Sequence, residues 1–535
     1  MKTMINSIIL ASCLALPLAS CSDSDAAPEQ KDWSTTTYFN SSDAAAQDTY
    51  YKPAVGYVGD PMPFFDPVAG DFKVLYLQDF RPNPEGTYHP IWGVSTKDAA
   101  HYTALGELVS CGTLKSQDAA IGTGSTIYDE ASKLYYTFYT GNKYKPTGDE
   151  SAQAVMVATS ADFKTWTKDR TFLLKGQDFG YDKNDFRDPF VFKGDDGKFH
   201  MLISTKKGGK GSLAEFVSDD LKNWTDNGVF MTMMWDRFYE CPDLFKMGDY
   251  WYLVYSEIHH AVRRVQYFKG RTLDELKACT ANDVARWPDA HEGFLDSRGL
   301  YAGKTASDGT NRYLWGWCPT RSGKDNTAVG ASPAEPEWAG NLVCYKLIQH
   351  EDGTLTLGQV DAVSEKYNQD VAVEVKESRN MTEADGTYTL AGNVEQPDAY
   401  MLMGRLGSHN KISFTVTTSN EWDKFGISMV RGSDSKKYYT MVVNPEDENN
   451  RKVNFEEQGV EGKGFIAGID GYVFARPADN VYNVTIYTDN SICVMYINDV
   501  CSYTNRIYGI QKNCWSINSY NGANVKISNL KISQY

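Results

Sequence analysis

The chain has 535 residues, 41% hydrophobic and 23% charged, a globular balance that excludes a disordered or fibrous protein and a length that exceeds one ordinary core. A net charge of −16 argues against nucleic acid as partner and suits a neutral ligand in a polar medium. Aromatic residues reach 13%, with 34 Tyr and 12 Trp, which fits β-structure and also sugar binding, where flat rings stack on sugar faces.

The chain opens with Lys2, an apolar run, and small residues before Cys21, the pattern of a signal peptide and not of a spanning helix. Leu18-Ala19-Ser20-Cys21 resembles a bacterial lipoprotein box, which implies that Cys21 becomes the lipidated first residue; an ordinary cleaved signal peptide is the alternative. The acids directly after Cys21 are similar to the signal of lipoproteins sent to the outer-membrane cell surface, the periplasmic face being the other option. The lipid would then be the only membrane contact. Residues 22–50, rich in Ser, Asp, Ala and Thr, read as a tether.

Residues 51–355 hold short apolar or alternating runs separated by Gly, Asp, Asn and Lys, such as "KVLYLQ" (73–78), "LYYTFYTG" (134–141), "DYWYLVYSE" (249–257) and "RYLWGWC" (312–318). Strands this short and this closely spaced predict an all-β architecture. "TLDELKACTANDVARW" is the best helical candidate. "ATSADFKTWTK" (158–168) and "FVSDDLKNWTD" (216–226) share Ser-x-Asp, then an apolar residue, then Lys-x-Trp, and "GVSTKDAAHYT" (93–103) is a weaker third copy. Each copy stands between two strands, as the outer turn of a repeated sheet would, with Trp166 and Trp224 in the core. Repeated four-stranded sheets predict propeller blades, and roughly 300 residues hold five. Residues 356–370 read as a linker. Residues 371–535 continue as strands without the repeat, for example "KISFTVTTS" (411–419) and "VYNVTIYTD" (481–489), and predict a C-terminal β-sandwich.

Of ten cysteines, eight remain once Cys13 and Cys21 are set aside, and none shows C-x-x-C spacing. Export permits disulfides, but spacing does not reveal pairings. There is no H-E-x-x-H, P-loop or G-x-G-x-x-G in a fitting context, so no metal or cofactor is expected. His259-His260 reads as structural, because adjacent strand residues face opposite sides.

Three acids stand out. Asp60 lies in "VGYVGDPMPFF", Asp188 in "FRDPFVF" and Glu240 in "DRFYECPDLF", each at or beside an aromatic-rich strand. Asp60 and Asp188 are followed directly by proline, which belongs at a strand start or edge. The Arg187-Asp188 pair would be costly to bury without partners or a role. Innermost propeller strands line a channel where carboxylates from different blades can converge. Glycoside hydrolysis needs two carboxyl groups flanking the anomeric carbon, one to protonate the leaving oxygen and one to attack or to activate water. A third carboxylate can hold sugar hydroxyls, with an arginine to orient it.

"FRDPFVF" and "YECPDLF" resemble two signature stretches of family 32 glycoside hydrolases, the invertase, inulinase and levanase group. "LYLQDFRPNP" (75–84), "HPIWGVSTKD" (89–98), "FYTGN" (138–142), "RYLWGWC" and "WAGNLVCYKL" (338–347) follow in the family's order, and "MYINDV" (495–500) and "TNRIYG" (504–509) are similar to its C-terminal domain. The resemblance covers about 55–535. It implies a five-bladed β-propeller followed by a β-sandwich, and retaining cleavage of β-fructofuranosides in fructans or sucrose-type sugars. By position it makes Asp60 the nucleophile, Glu240 the general acid and base, and Asp188 the transition-state stabiliser. Gln78, Trp92, Thr123, Arg187, Cys241 and Trp317 would shape the pocket; no metal is implied. Two stretches depart from the family. Gly59-Asp60-Pro61-Met62 keeps only the aspartate and first proline of Asn-Asp-Pro-Asn, and Gly122-Thr123-Gly124-Ser125 stands where the family has Phe-Ser-Gly-Ser. An altered fructose pocket is therefore expected. A propeller hydrolase of arabinan or xylan type and a non-catalytic surface glycan-binding protein are the competing readings, and oligomeric state stays open.

Overall fold

The computed structural model describes residues 49–535 apart from 82, 84–85, 234–237, 258–263, 280–292, 321–337, 432–437, 446–451, 459–465 and 468–471. Cys21, nearly all of the tether and His259-His260 lie outside the described residues.

Short alternating strands joined by tight turns fold locally into antiparallel meanders, and five of these stand in a ring. Their inner strands are Tyr57–Asp66, Ala120–Asp129, Phe186–Lys193, Glu240–Met247 and Tyr301–Ser307, each packed against the next and the last against the first. The first blade continues outward through Asp71–Asp79, Ile91–Thr96 and Thr103–Val109. The ring closes where the fifth-blade strand Gly340–Gln349 pairs with the first inner strand, Val58 opposite Gly340. The architecture is a five-bladed propeller followed by a sandwich, as the sequence predicts.

The repeat is one recurring turn between the third and fourth strands of a blade. Asp162 Oδ1 accepts the backbone N–H groups of Lys164 and Thr165, and Asp220 Oδ1 those of Lys222 and Asn223. Asp98 does the same for Ala100 and His101. The residue after each aspartate is left-handed, with φ of 58° at Ala99, 59° at Phe163 and 63° at Leu221. The short acidic side chain supplies the hydrogen bonds that the turning backbone lacks. Trp166 and Trp224 pack half-buried against the blade cores.

Every inner strand also slips register at one level. The slips fall between Gly59 and Met62, between Gly122 and Gly124, at Asp188-Pro189 (opposite Leu202 and Ser204), between Glu240 and Asp243, and between Tyr301 and Lys304. A bulge of this kind bends its strand and re-aims one side chain.

In the sandwich, one sheet is centred on Asn524–Gln534, His409–Thr418 and Val481–Asp489, and the other on Ala399–Arg405, Cys514–Tyr520 and Lys424–Met429. Alternate residues of both meet in a core that includes Met401, Ile412, Phe425, Ile486 and Trp515. Tyr487, Ile492, Val494 and Tyr496 share a second core with Trp315, Tyr345 and Leu347 of the propeller.

The boundaries shift from the sequence reading. Strand Leu355–Gly358 completes the fifth blade, and the expected linker contains a helix, Asp361–Lys366. Gln369–Val371 already pairs with the last sandwich strand. Thr49 and Tyr50, read as tether, are buried, because their N–H groups reach the Asp489 carboxylate at 2.9 and 2.8 Å. Among the described residues the helical candidate forms one turn and a half, Leu273–Ala278, capped by the Thr272 hydroxyl, and 280–287 lie outside them. No disulfide joins any of the eight described cysteines.

Two buried charges join the domains. The Asp296 carboxylate accepts Thr504 N–H at 2.8 Å, Thr504 Oγ1 at 2.7 Å and Ser502 Oγ at 2.9 Å. Arg506 donates to the carbonyls of Cys318 and Pro319 at 2.9 and 3.0 Å and to Asn341 Oδ1 at 2.6 Å. Asp296→Ala strands these three buried donors and the Ser297 N–H, and is expected to cost about 2–4 kcal/mol. A urea titration followed by tryptophan fluorescence checks this; an unchanged midpoint refutes it.

Candidate active site

The bulges turn Asp60, Thr123, Asp188 and Glu240-Cys241 toward one cavity of about 250 Å³, which Arg187, Tyr301 and Trp338 also line. Three of the bulges carry proline, at Pro61, Pro189 and Pro242. A bulge leaves a ladder position unpaired, so a residue without an N–H fits there at no loss. Asp188 and Cys241 have φ of 56° and 52°, a conformation sparsely occupied by such residues and common at functional sites.

Asp60 is held from two blades. Its Oδ2 accepts Thr123 Oγ1 at 2.6 Å and its Oδ1 accepts Trp317 Nε1 at 2.9 Å. Burial pushes its pKa up; these two hydrogen bonds oppose the rise and the Glu240 charge adds to it. Asp188 Oδ2 accepts the Cys241 N–H at 2.9 Å, and the Asp188 N–H donates to Thr140 Oγ1 at 2.9 Å. Burial raises the Asp188 carboxyl to about 6, against the pull of Arg187 and with the push of Glu240. Glu240 Oε1 accepts Arg187 Nη2 at 2.9 Å, and its Oε2 accepts the Tyr301 hydroxyl. Arg187 also donates to Asp185 Oδ1 at 2.7 Å and lies 3.9 Å from the Phe238 ring centroid. Its guanidinium therefore spans Glu240 and Asp185 and sits 4.0 Å from Asp188, and these acids raise its pKa despite its burial. The Cys241 thiol is pushed up by burial and then by the three carboxylates, which leaves it protonated and unreactive.

Six of the predicted residues thus share the cavity: Asp60, Thr123, Arg187, Asp188, Glu240 and Cys241. Trp317 acts from behind, 1% exposed, as a donor to Asp60. Gln78 and Trp92 correct the sequence reading. Gln78 is fully buried and its amide donates to the Val55 carbonyl beneath the Gly56 turn. Trp92 lies one strand further out, opposite Tyr76, and packs edge-on against Phe80. Tyr301, His89 and Trp338 escaped the sequence reading, since each reaches the cavity from a segment far along the chain from the acid it serves or the ring it stacks on. His89 stacks on Trp338 with centroids 4.1 Å apart at 21°, and burial pushes its pKa down to about 4. The departure at Gly59 now has a cause. A Cβ there would come within 2.2 Å of the Trp338 indole, so glycine makes room for that ring. Among the described residues no cluster has the make-up of a metal site.

An aspartate whose folded pKa lies near 6, above its ordinary value of 3.8, favours folding below the ordinary value and loses that contribution as pH rises through 6. Asp188→Asn is therefore expected to stabilise the fold at pH 7.5, by about 1–3 kcal/mol, and to give little gain at pH 4. Thermal unfolding at the two pH values measures this, and equal or negative gains at both contradict it.

Residues 50–360 match the family described as "Glycosyl hydrolases family 32 N-terminal domain", and residues 353–532 match "GH32, BT1760-like, C-terminal domain". The chain is similar to a beta-fructofuranosidase, insoluble isoenzyme CWINV2, of Arabidopsis thaliana, 25% identical over 320 residues that cover 54% of this chain and 51% of that one. It is also similar to a sucrose-6-phosphate hydrolase of Vibrio alginolyticus, 25% identical over 217 residues, 39% of this chain and 41% of the other. The chain spans about half the length, or less, of these curated relatives. In fold it resembles fructan 1-exohydrolase IIa from Cichorium intybus, with a TM-score of 0.67 at 15% identity over 92% of this chain and 97% of that one. The sucrose-6-phosphate hydrolase of Lactobacillus gasseri gives 0.66 at 17% identity, over 92% and 94%. With both domains matched in order and three bulged carboxylates meeting at the propeller axis, the chain belongs to glycosyl hydrolase family 32.

Proposed function

We propose that the protein hydrolyses β-fructofuranosidic bonds with retention of configuration, in fructans or sucrose-type sugars. The observation that carries this reading is the meeting of Asp60, Asp188 and Glu240, from three blades, in one cavity. Asp60, with both oxygens held by donors, attacks the anomeric carbon while Glu240 gives a proton to the leaving oxygen. Water then attacks the fructosyl-enzyme ester, Glu240 takes its proton back, and Asp60 leaves as a carboxylate. Asp188 grips ring hydroxyls as positive charge develops on the sugar.

The charge of the cavity favours an unphosphorylated sugar. Among the described residues lining it, Arg187 is committed to Glu240 and Asp185, and His89 is neutral above about pH 4. Among the described lining residues a phosphate would meet three carboxylates and no uncommitted cation. The Trp338–His89 stack offers instead a flat wall for a sugar face.

Fructose release from at least one of levan, inulin and sucrose is expected, with the β-anomer seen first by NMR. Folded protein that releases fructose from none of them refutes the reading, and release of arabinose or xylose from other glycans would replace it. Asp60→Ala and Glu240→Gln are each expected to lower kcat by at least about a thousandfold with circular dichroism unchanged; a variant that keeps its turnover removes that residue from the mechanism. Gly59→Asn should displace the Trp338 ring. It is expected to shift tryptophan emission and to cut kcat/KM by about tenfold or more; unaltered emission and kcat/KM would show that the wall plays no part.

A further inference from the structure

Lys304 is a buried cation that the mechanism above does not use. It lies on the fifth inner strand, directly after that strand's bulge, and is 2% exposed. Lysine is rarely buried this deeply without a specific partner, because desolvating its ammonium costs several kcal/mol. Its Nζ reaches across the channel to the second blade and donates to the Gly124 carbonyl at 2.9 Å. Gly124 closes the bulge whose extra residue is Thr123, the donor to Asp60. The same bulge is held from the first blade, where the Gly124 N–H meets Met62 Sδ at 3.1 Å. There is no slack around it: a Cβ on Gly124 would stand 1.8 Å from the Phe138 carbonyl oxygen. Phe190 of the third blade presents its ring 5.2 Å from Nζ.

We infer that Lys304 is a positioning residue for hydrolysis: it clamps the Thr123-Gly124 bulge so that the Thr123 hydroxyl stays on Asp60 Oδ2, and it places a positive charge behind the nucleophile. The inference rests on Asp60 being that nucleophile. The geometry alone asks for the clamp, since the first and fifth blades both hold one dipeptide of the second, and Lys304 brings a cation to the carbonyl side of it.

The titratable and charged groups facing this point come from four blades. Asp60 comes from the first, Arg187 and Asp188 from the third, Glu240, Cys241 and Asp243 from the fourth, and Tyr301, Lys304 and Arg312 from the fifth. The second blade contributes the neutral Thr123. His89, on the first-blade side, is neutral in the working range. Burial disfavours the Lys304 ammonium, and the carboxylates of Asp243, Asp188 and Asp60 favour it. By reciprocity the ammonium favours ionised Asp60 and Asp188. Its removal must move the titration of these acids to higher pH.

The test compares Lys304→Met, Lys304→Arg, Thr123→Val and the Lys304→Met/Thr123→Val double variant on whichever fructoside the wild type hydrolyses. Lys304→Met is expected to lower kcat by about tenfold or more and to move the acid limb of kcat/KM upward by at least about half a pH unit. Lys304→Arg is expected to return the limb to its wild-type position. In the Thr123→Val background, the kcat loss from Lys304→Met should shrink several-fold, because both changes release the same hydrogen bond. An unmoved acid limb, or losses that multiply independently, overturns the inference. If Lys304→Met does not fold, Lys304→Gln, which also removes the charge, takes its place with and without Thr123→Val, and an unmoved acid limb or independent losses again overturn the inference. Failure of the underlying reading would look different: Asp60→Ala would then keep its turnover.

Discussion

The site depends on one repeated interruption of hydrogen bonding. A regular inner strand would send alternate side chains into the inter-blade cores and leave the channel lined by backbone. Each of the five inner strands breaks its ladder at the same level, and the residue at the break turns toward the axis. Proline serves at three of the breaks because it has no N–H to leave unpaired, and Gly124 serves at a fourth because the Phe138 carbonyl leaves no space for a side chain. Asp188 and Cys241 accept a left-handed backbone to complete the geometry. That strain persists because the blade cores on either side over-determine the strand.

Once the acids converge, charge becomes the second constraint. Three carboxylates in one cavity repel one another, and burial raises the pKa of Asp60 and Asp188. Arg187 offsets this from the front, shared between Glu240 and Asp185. Lys304 lies behind, on the carbonyl of Gly124. Asp188, lifted to about 6, shows how incomplete the compensation is. A site that holds ionised carboxylates for chemistry accepts a stability cost that a neutral core would not carry.

The sandwich enters through the fifth blade. Asp296 is bolted to Ser502 and Thr504 just before the strand that bears Tyr301 and Lys304. Arg506 grips the carbonyls of Cys318 and Pro319, directly after Trp317, the donor to Asp60. Three groups that orient the acids thus sit on strands that the second domain braces. This gives the sandwich a part in positioning, although none of its described residues lines the cavity.

The acids and their motifs were legible in the sequence because their chemistry is local. Asp-Pro and Glu-Cys-Pro announce a strand that must stop donating, and Ser-x-Asp announces a turn that must borrow hydrogen bonds. The blade repeat followed from the same local signals, in two clear copies and a weaker third, and the count of five from the length of the segment. The partners of the acids were not legible. Tyr301 reaches Glu240 and Trp338 reaches His89 across chain separations that no spacing rule spans. Gln78 and Trp92 matched a motif, yet one braces the Gly56 turn and the other lies one strand too far out, since register decides which face a strand residue occupies. Gly59 read as a loss, and only the indole packed on it shows it to be an exchange. By itself the sequence determined which residues could do chemistry and which breaks in the strands would turn them inward, because both depend on near neighbours. Tertiary structure alone decided who holds, charges and walls them, because closing a ring of blades sets side chains from distant strands within hydrogen-bond reach.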